Sequence, residues 1–309
     1  MSDKMSIVFF GENIIATTVI KFLYNDFKIA HLFTTEEPVK RSRSKFTGLI
    51  SKFAEANNIP YTVVKNITPE VKKTVAQLSP DLIIVVSFGV FLPNSLLDKS
   101  KLPPINLHPS ALPKYRGAAP IARAIENGDK EIGICVIEVI NKMDAGDIFA
   151  QRTLNVQNMS STQVYQKVGQ IGGEMLSQVA KQLQNNNAER KQQDDKEHTM
   201  ANKITKEELL LNFNNEPNTL VNKIRAFDIF GGCYFNIKNN SRVKILQADA
   251  LTMKDINNND ATKTSQTNGT INAKMGIIFC KNGAIKPIIL QKEGKEKMLA
   301  KDFWNGYKR

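Results

Sequence analysis

The amino-acid sequence predicts an α/β fold, a Rossmann-like, mostly parallel, doubly wound sheet followed by a small OB-like β-barrel domain. Strand-like and helix-like segments alternate over the first half of the chain, which is typical of βαβ units. In the segment 81–87, the residues between Asp81 and Ser87 are continuously apolar, as expected of a strand that is buried on both faces of a parallel sheet. Roughly five short strand-like segments follow within about 100 residues near the C-terminus, and this spacing favours a small barrel.

The order of the elements follows from local signals. Residues 7–11 form an apolar run that ends in a glycine, which predicts a buried first strand and a turn into a helix over 14–24. Thr68 and Pro69 supply an N-cap hydroxyl and a proline for the first helical position. Asn282 and Gly283 predict a hairpin. Further strands are predicted at 29–34, 61–64, 105–108, 132–139, 233–237, 243–248, 269–273, 276–280 and 284–290, further helices at 46–57, 122–127, from 160–162 onward, 218–227 and 300–306, and a long loop at 253–268.

The length of the chain favours two domains. At 309 residues a single hydrophobic core is near its practical size limit. Residues 185–195 contain almost no apolar side chains, which is typical of an interdomain linker. We therefore predict a first domain over residues 1–184, a linker over 185–204 and a second domain over 205–309.

The composition narrows the class of protein. Lys and Arg number 42 against 30 Asp and Glu, a net charge of +12, which favours attraction to polyanions such as nucleic acid. The three cysteines are far apart and lack zinc-ligand spacing, so they predict reduced, buried thiols rather than a metal site. No G-x-G-x-x-G motif follows the first strand, so a nicotinamide cofactor is not supported. No secretion signal or membrane-length apolar run is visible, and we expect a soluble, cytoplasmic protein.

Two polar side chains stand out at the end of a strand. Asn106 and His108 are two residues apart, so in a strand they project from the same face. A stiff, partly basic loop with Pro109 and Pro113 follows them. Ligands bind at the carboxyl ends of strands in sheets of this kind, so the pair is a candidate site. Without the rest of the chain, the pair is better explained as two structural side chains with hydrogen-bond partners at a strand end than as a functional site.

A cluster of cations lies in the loop after the second strand. Four of six successive residues are basic, at Lys40, Arg41, Arg43 and Lys45. Such a loop is suited to follow a nucleic-acid backbone by contacting phosphates. It is equally typical of a solvated surface loop, and the sequence leaves both interpretations open.

Several longer motifs together resemble the folate-dependent formyltransferases. The resemblance rests on residues 87–93, 106–121 and 143–148, and the segment 106–121 is long enough to be highly specific. In the second half, residues 223–227, 242–245, 269–271 and 302–306 look like the C-terminal domain of those members that act on methionyl-tRNA. The resemblance covers nearly the whole chain.

The resemblance implies an activity and a set of site residues. The expected reaction moves the formyl group of 10-formyltetrahydrofolate to the amino group of methionine on initiator methionyl-tRNA, leaving tetrahydrofolate, with neither a metal nor NAD. By similarity, Asn106, His108 and Asp144 match the catalytic triad. The folate-contacting segment corresponds to Ser110, Ala111, Leu112 and Pro113, and the basic loop to an insertion that approaches the tRNA acceptor end. Residues 1–184 would then be the catalytic domain and 205–309 an OB-like tRNA-binding domain of a monomer.

Two other functions remain open at this point. A formyltransferase of the same fold that acts on a nucleotide-linked amino sugar or on glycinamide ribonucleotide would share the first motifs. The barrel-like second domain and the basic loop favour tRNA over these substrates. A nucleic-acid-binding module on a catalytically inactive scaffold is disfavoured, because all three triad residues are present.

Overall fold

The computed structural model describes residues 4–35, 48–237, 241–257 and 267–307. The strands are β1 Ser6–Gly11, β2 Lys28–Thr34, β3 Tyr61–Val63, β4 Leu82–Val86, β5 Ile105–His108, β6 Glu131–Glu138, β7 Ile148–Asn155, β8 Cys233–Asn236, β9 Arg242–Thr252, β10 Ile271–Asn272, β11 Ile277–Cys280, β12 Gly283–Lys292 and β13 Lys297–Leu299. The α-helices are α1 Asn13–Asp26, α2 Leu49–Ala56, α3 Pro69–Leu78, α4 Asn94–Leu97, α5 Pro120–Glu126, α6 Ser161–Gln184, α7 Pro217–Ala226, α8 Met253–Asn257 and α9 Ala300–Tyr307. Short 3-10 helices cover Asp195–Glu197, Glu207–Leu209 and Asp228–Phe230.

The chain divides into two compact units. The first comprises Met1–Pro120, Glu131–Asn155 and Gln163–Asn202, and the second comprises Ile121–Lys130, Val156–Thr162 and Lys203–Arg309. Most of the polar segment at 185–204 thus belongs to the first unit. Within that unit, the backbone N–H of Lys191 donates to the carbonyl of Ile148 at 2.9 Å, and Arg116 pairs with Met200 in a parallel bridge.

The first unit is built on a seven-stranded sheet in the order β3-β2-β1-β4-β5-β6-β7. The first five strands pair in parallel, and β6 and β7 add antiparallel pairs at one edge. Every residue of β4 is buried, as its apolar sequence predicts. Phe10 stacks on Phe33 of the neighbouring strand with ring centroids 4.7 Å apart, and Val71 and Val75 of α3 pack in the same core. The predicted Rossmann-like sheet is confirmed.

The second unit contains a six-stranded antiparallel sheet. Its strand order is β10-β11-β12-β9-β8, and β13 pairs with β12. The predicted hairpin joins β11 to β12, where Cys280 pairs with Gly283 and Asn282 takes a positive φ of 57°. The prediction of a small, separate β domain is confirmed.

One prediction about the second half was wrong, and one strand was missed. Residues 253–257 form α8 rather than a loop, because Thr252 and Asp255 make a reciprocal capping box. The N–H of Thr252 donates to the Asp255 carboxylate at 2.7 Å, and the N–H of Asp255 donates to the Thr252 hydroxyl at 3.3 Å. Strand β13 was missed because three residues cannot display an alternating pattern, and pairing with β12 alone defines it.

The predicted cluster of cations lies outside the described residues. It comprises Lys40, Arg41, Arg43 and Lys45, and the start of the helix predicted at 46–57 is likewise outside the described ranges. Within those ranges, no helix is both long and apolar enough to cross a membrane.

Candidate active site

The candidate site begins on β5, at the carboxyl edge of the parallel sheet. Ile105 and Leu107 are buried in the core, so the alternate residues Asn106 and His108 project from the opposite face. His108 is only 4% exposed, whereas Asn106 is partly buried. The strand therefore places the amide and the imidazole on the same face, as their spacing in the sequence predicts.

Both ring nitrogens of His108 have a defined neighbour. Nε2 donates a hydrogen bond to the carbonyl oxygen of Tyr115 at 2.9 Å. Nδ1 lies 3.6 Å from Oδ1 of Asp144, and the two side chains are 5% and 14% exposed. Since a carbonyl oxygen can only accept, the Nε2 proton is fixed and Nδ1 is the atom that faces the carboxylate. The Asp144 carboxylate is therefore the group nearest to Nδ1 in the site.

Asp144 is held in a tight turn between β6 and β7. Its φ of 49° lies in the left-handed region, which aspartate tolerates better than most residues. The other carboxylate oxygen, Oδ2, accepts a hydrogen bond from the backbone N–H of Gly117 at 2.8 Å. A turn aspartate usually bonds its own backbone, but here the partner is 27 residues away. Asp144 thereby ties its turn to the loop that follows β5.

Asn106 keeps its side chain available. In the part of the chain that the structure describes, the amide of Asn106 makes no hydrogen bond. It is also partly exposed, so a molecule at this edge of the sheet can reach it. The site thus combines one unoccupied amide donor with a buried imidazole and a carboxylate.

The segment from Ser110 to Pro113 is fixed firmly to the sheet. The Ser110 hydroxyl donates to the carbonyl of Lys114 at 2.7 Å, and Leu112 packs against Cys135. The thiol of Cys135 donates to the Ser110 carbonyl at 3.1 Å, and burial raises its pKa to about 11. Ser110 and Leu112 are buried, whereas Ala111 is exposed and Pro113 partly so. Any ligand on this segment therefore meets Ala111, Pro113 and the backbone.

The structure contains a buried polar network around the Asp144 turn that the sequence does not predict. Nε2 of Gln193 donates to the carbonyls of Asp144 at 2.9 Å and Gly146 at 2.7 Å. Oε1 of Gln193 accepts from Nε and Nη2 of Arg116 at 3.2 and 2.8 Å. Nη1 of Arg116 donates at 2.8 Å to Asp195, which also pairs with Lys142. The only sequence signal was the position of Arg116 inside the motif at 106–121, since Gln193 lies in the polar segment.

The described residues offer no evident metal site. Among them, no group of three or more His, Cys, Asp or Glu side chains is arranged to hold an ion.

Comparisons with known proteins match both halves of the chain. The profile of the Formyl transferase family matches residues 5–180, and that of the Formyl transferase C-terminal domain matches residues 203–308. The methionyl-tRNA formyltransferase of Latilactobacillus sakei is 33% identical over 97% of this chain and 94% of its own. That of Mycoplasma mycoides is 30% identical over 98% and 96%, respectively.

A solved structure adds a likeness of fold. The N-formyltransferase from Helicobacter canadensis, in complex with folinic acid and dTDP-3-aminofucose, covers 93% of this chain and 99% of its own. Its TM-score is 0.64 at 20% sequence identity, a likeness that shows the fold alone. The family profiles and the full-length relatives, by contrast, show the family as well as the fold. The chain therefore belongs to the formyltransferase family, within the branch of the methionyl-tRNA formyltransferases.

Proposed function

We propose that this protein transfers the formyl group of 10-formyltetrahydrofolate to the amino group of methionine on initiator methionyl-tRNA. One observation carries the proposal. His108 and Asp144 face each other at 3.6 Å beside the available amide of Asn106, in a chain about 30% identical to methionyl-tRNA formyltransferases along nearly its full length. The proposed catalytic residues are Asn106, His108 and Asp144.

Asn106 and His108 would stabilise the negative charge that develops during transfer. When an amine attacks a formamide, the formyl oxygen gains negative charge. The Asn106 amide, which has no hydrogen-bond partner among the described residues, can donate to this oxygen. His108, whose ring nitrogens face Tyr115 and Asp144, would act through the positive charge of its protonated ring. A preset donor of this kind is worth about 10²–10³ in rate.

Asp144 would accept a proton during the reaction and orient the His108 ring. Attack also builds positive charge on the amine, which must lose a proton. The bond from the formyl carbon to the folate nitrogen must then break, and this nitrogen takes up a proton as tetrahydrofolate leaves. Asp144 is ordered by the N–H of Gly117 and lies against Nδ1 of His108, so it can hold that proton or share it with the ring. The same carboxylate balances the positive charge of a protonated His108.

The folate would be held at the segment from Ser110 to Pro113. When bound, it supplies the formyl group. Ser110 and Leu112 anchor this segment to the sheet, while Ala111 is exposed and Pro113 partly exposed, so both can meet a ligand. A ligand surface whose shape is fixed before binding loses little ordering entropy, so the segment fits a flat, aromatic cosubstrate.

The tRNA would be bound electrostatically. The chain carries a net charge of +12, and Lys40, Arg41, Arg43 and Lys45 would contact phosphates near the acceptor end. We assign catalysis to residues 1–184 and tRNA binding to 205–309. Of the segment 185–204 between them, residues up to 202 belong to the first compact unit. We propose a monomer that acts in the cytoplasm, where translation starts.

A parallel assay tests the function. The purified protein is given 10-formyltetrahydrofolate together with either methionyl initiator tRNA or a dTDP-linked amino sugar, and N-formylation is followed by mass spectrometry. We expect formyl-methionyl-tRNA and no formylated sugar. Transfer to the sugar alone would overturn the proposal in favour of the amino-sugar enzymes, and tRNA binding without transfer would favour an inactive binding module.

A further inference from the structure

We propose that Gln193 and Arg116 are positioning residues for formyl transfer, in which Arg116 orients the amide of Gln193 and this amide holds the Asp144 turn against His108. The inference rests on the proposed function. It assigns a positioning role to Gln193, which lies in a segment whose composition predicts only a linker between domains.

Gln193 clamps the turn at two points. Its Nε2 donates to the carbonyl of Asp144 and to that of Gly146, so both protons of one amide bridge the two sides of the turn. Asp144 sits at φ 49°, a conformation that needs support from its surroundings. Because the donors act on the backbone, they fix the direction in which the Asp144 carboxylate leaves the turn.

Hydrogen bonds from Arg116 fix the orientation of the Gln193 amide. Its Nε and Nη2 both donate to Oε1 of Gln193, which turns Nε2 toward the two carbonyls. A flipped amide would set NH₂ against the guanidinium and oxygen against two carbonyl oxygens, so four hydrogen bonds would break. Arg116 and Gln193 are 2% and 9% exposed, so water cannot readily replace those bonds.

The main chain beside Arg116 completes the arrangement. The N–H of Gly117, the next residue, donates to Oδ2 of Asp144 at 2.8 Å. One short stretch therefore holds Asp144 twice, directly at the carboxylate and through Gln193 at the backbone. The positive charge of Arg116 is balanced by Asp195 at 2.8 Å. Hydrogen bonds from Lys142 and Arg116 lower the pKa of Asp195 to about 2, so this partner stays ionised at working pH.

The test compares Gln193→Met with Gln192→Met, since Gln192 is the exposed neighbour of the buried Gln193. Methionine has a similar length but no donor. A misplaced catalytic group costs up to about 10²-fold in rate, and we expect a loss of this order in kcat for Gln193→Met, with both KM values nearly unchanged. Gln192→Met should match the wild type. Thermal unfolding of each variant separates this loss from a loss of folded protein.

A double substitution separates positioning from a general structural role. If Gln193 acts through Asp144, then Gln193→Met should change kcat by no more than about twofold in an Asp144→Asn background, since coupled residues are non-additive. An equal loss in both backgrounds, or a change confined to KM, would overturn the proposal. Arg116→Lys, which keeps the charge but not the two-pronged donor, should lower kcat in the same direction, whereas Arg152→Lys on the exposed face of β7 should not.

A measurement that does not depend on enzymatic activity tests this inference separately from the proposed function. The chain contains three histidines, at positions 31, 108 and 198, so the side-chain ¹⁵N signals of His108 can be assigned by removing the other two. We expect its Nδ1 signal in Gln193→Met to move toward that in Asp144→Asn, and to stay in place in Gln192→Met. An unchanged signal would refute the positioning role, whereas a wild type that formylates no methionyl-tRNA would refute only the proposed function.

Discussion

Nδ1 of His108 lies 3.6 Å from Oδ1 of Asp144, although the two residues occupy different elements of the first unit. His108 ends β5, and Asp144 stands in the turn between β6 and β7. Antiparallel pairing of β5 with β6 sets His108 opposite Cys135 and brings the end of β6 near the start of β5. The loop that follows β5 then returns to Asp144 through the N–H of Gly117. Strand pairing alone directs the chain after β6 toward the start of β5, away from His108, so the hydrogen bond from Gly117 is the contact that ties the Asp144 turn to the loop after His108.

The first prediction concerns the charge of Asp144. Asp144→Asn retains an oxygen to accept from Gly117 but removes the carboxylate that faces His108. Proton transfer by a positioned group is worth about 10²–10⁴ in rate, so kcat should fall within this range while KM for methionyl-tRNA changes little. Single-turnover formylation measures it. Asp147→Asn, three residues later in the same connection, is the matched control, and an equal loss there would deny Asp144 its special role.

The second prediction concerns the close approach between β6 and the folate segment. A Cβ on Gly133 would lie 2.3 Å from both N and Cα of Ala111, so Gly133→Ala must displace that backbone. Overpacking of this kind costs about 1–3 kcal/mol. We expect a lower melting temperature and a several-fold higher KM for 10-formyltetrahydrofolate, with KM for tRNA unchanged. Gly306→Ala in α9 has no atom within 4 Å of the new methyl and should leave both values as they are.

The sequence was informative where local signals decide the structure. The apolar run of β4 and the Thr68 cap, whose hydroxyl accepts from the N–H of Val71 at 3.4 Å, are properties of short segments. Asn106 and His108 share a face because a strand alternates its side chains, so this half of the candidate site was also predictable. Asp144 was predicted as a site residue only from the motifs that resemble the family.

The contacts that order the site were not predictable in this way. Gln193 reaches Asp144 across 49 residues and Arg116 across 77. Such partners depend on how β6, β7 and the polar segment pack, and no local periodicity encodes that packing. The composition of residues 185–195 instead predicted an exposed segment, because residue type alone does not distinguish one buried glutamine from its exposed polar neighbours.

The third prediction concerns the thiols. Burial raises the pKa of Cys135 to about 11, of Cys233 to about 12 and of Cys280 to about 11. Because the thiolate is the reactive form, the native protein should react with iodoacetamide at pH 8 far more slowly than the unfolded chain. Mass spectrometry of alkylated protein, with and without denaturant, measures this. Fast labelling of Cys135 in the native state would contradict the tight contact between its thiol and Ser110.

The same thiols imply a pH dependence of stability. The folded state binds these protons more tightly than the unfolded state, whose thiols titrate near 8.5. The unfolded chain therefore loses its protons first, and the free energy of unfolding should decline as pH rises from about 8.5 to 11. Urea unfolding at pH 8, 9.5 and 11 follows this decline. Cys135→Ala should make it shallower, and an unchanged slope would show that other groups cause it.

The last prediction concerns the basic loop. Each phosphate that a protein neutralises, on a single strand or a duplex, adds about 0.7–0.9 to the steepness of log K against log salt. Replacing Arg41, Arg43 and Lys45 by Gln should therefore reduce the slope for initiator tRNA by about 2–3 if all three bind phosphate. As a control of equal charge, the exposed Lys21, Lys52 and Lys73 on α1, α2 and α3 are replaced by Gln. If both triple variants flatten the slope equally, the attraction comes from net charge, and the loop has no particular place in the tRNA interface.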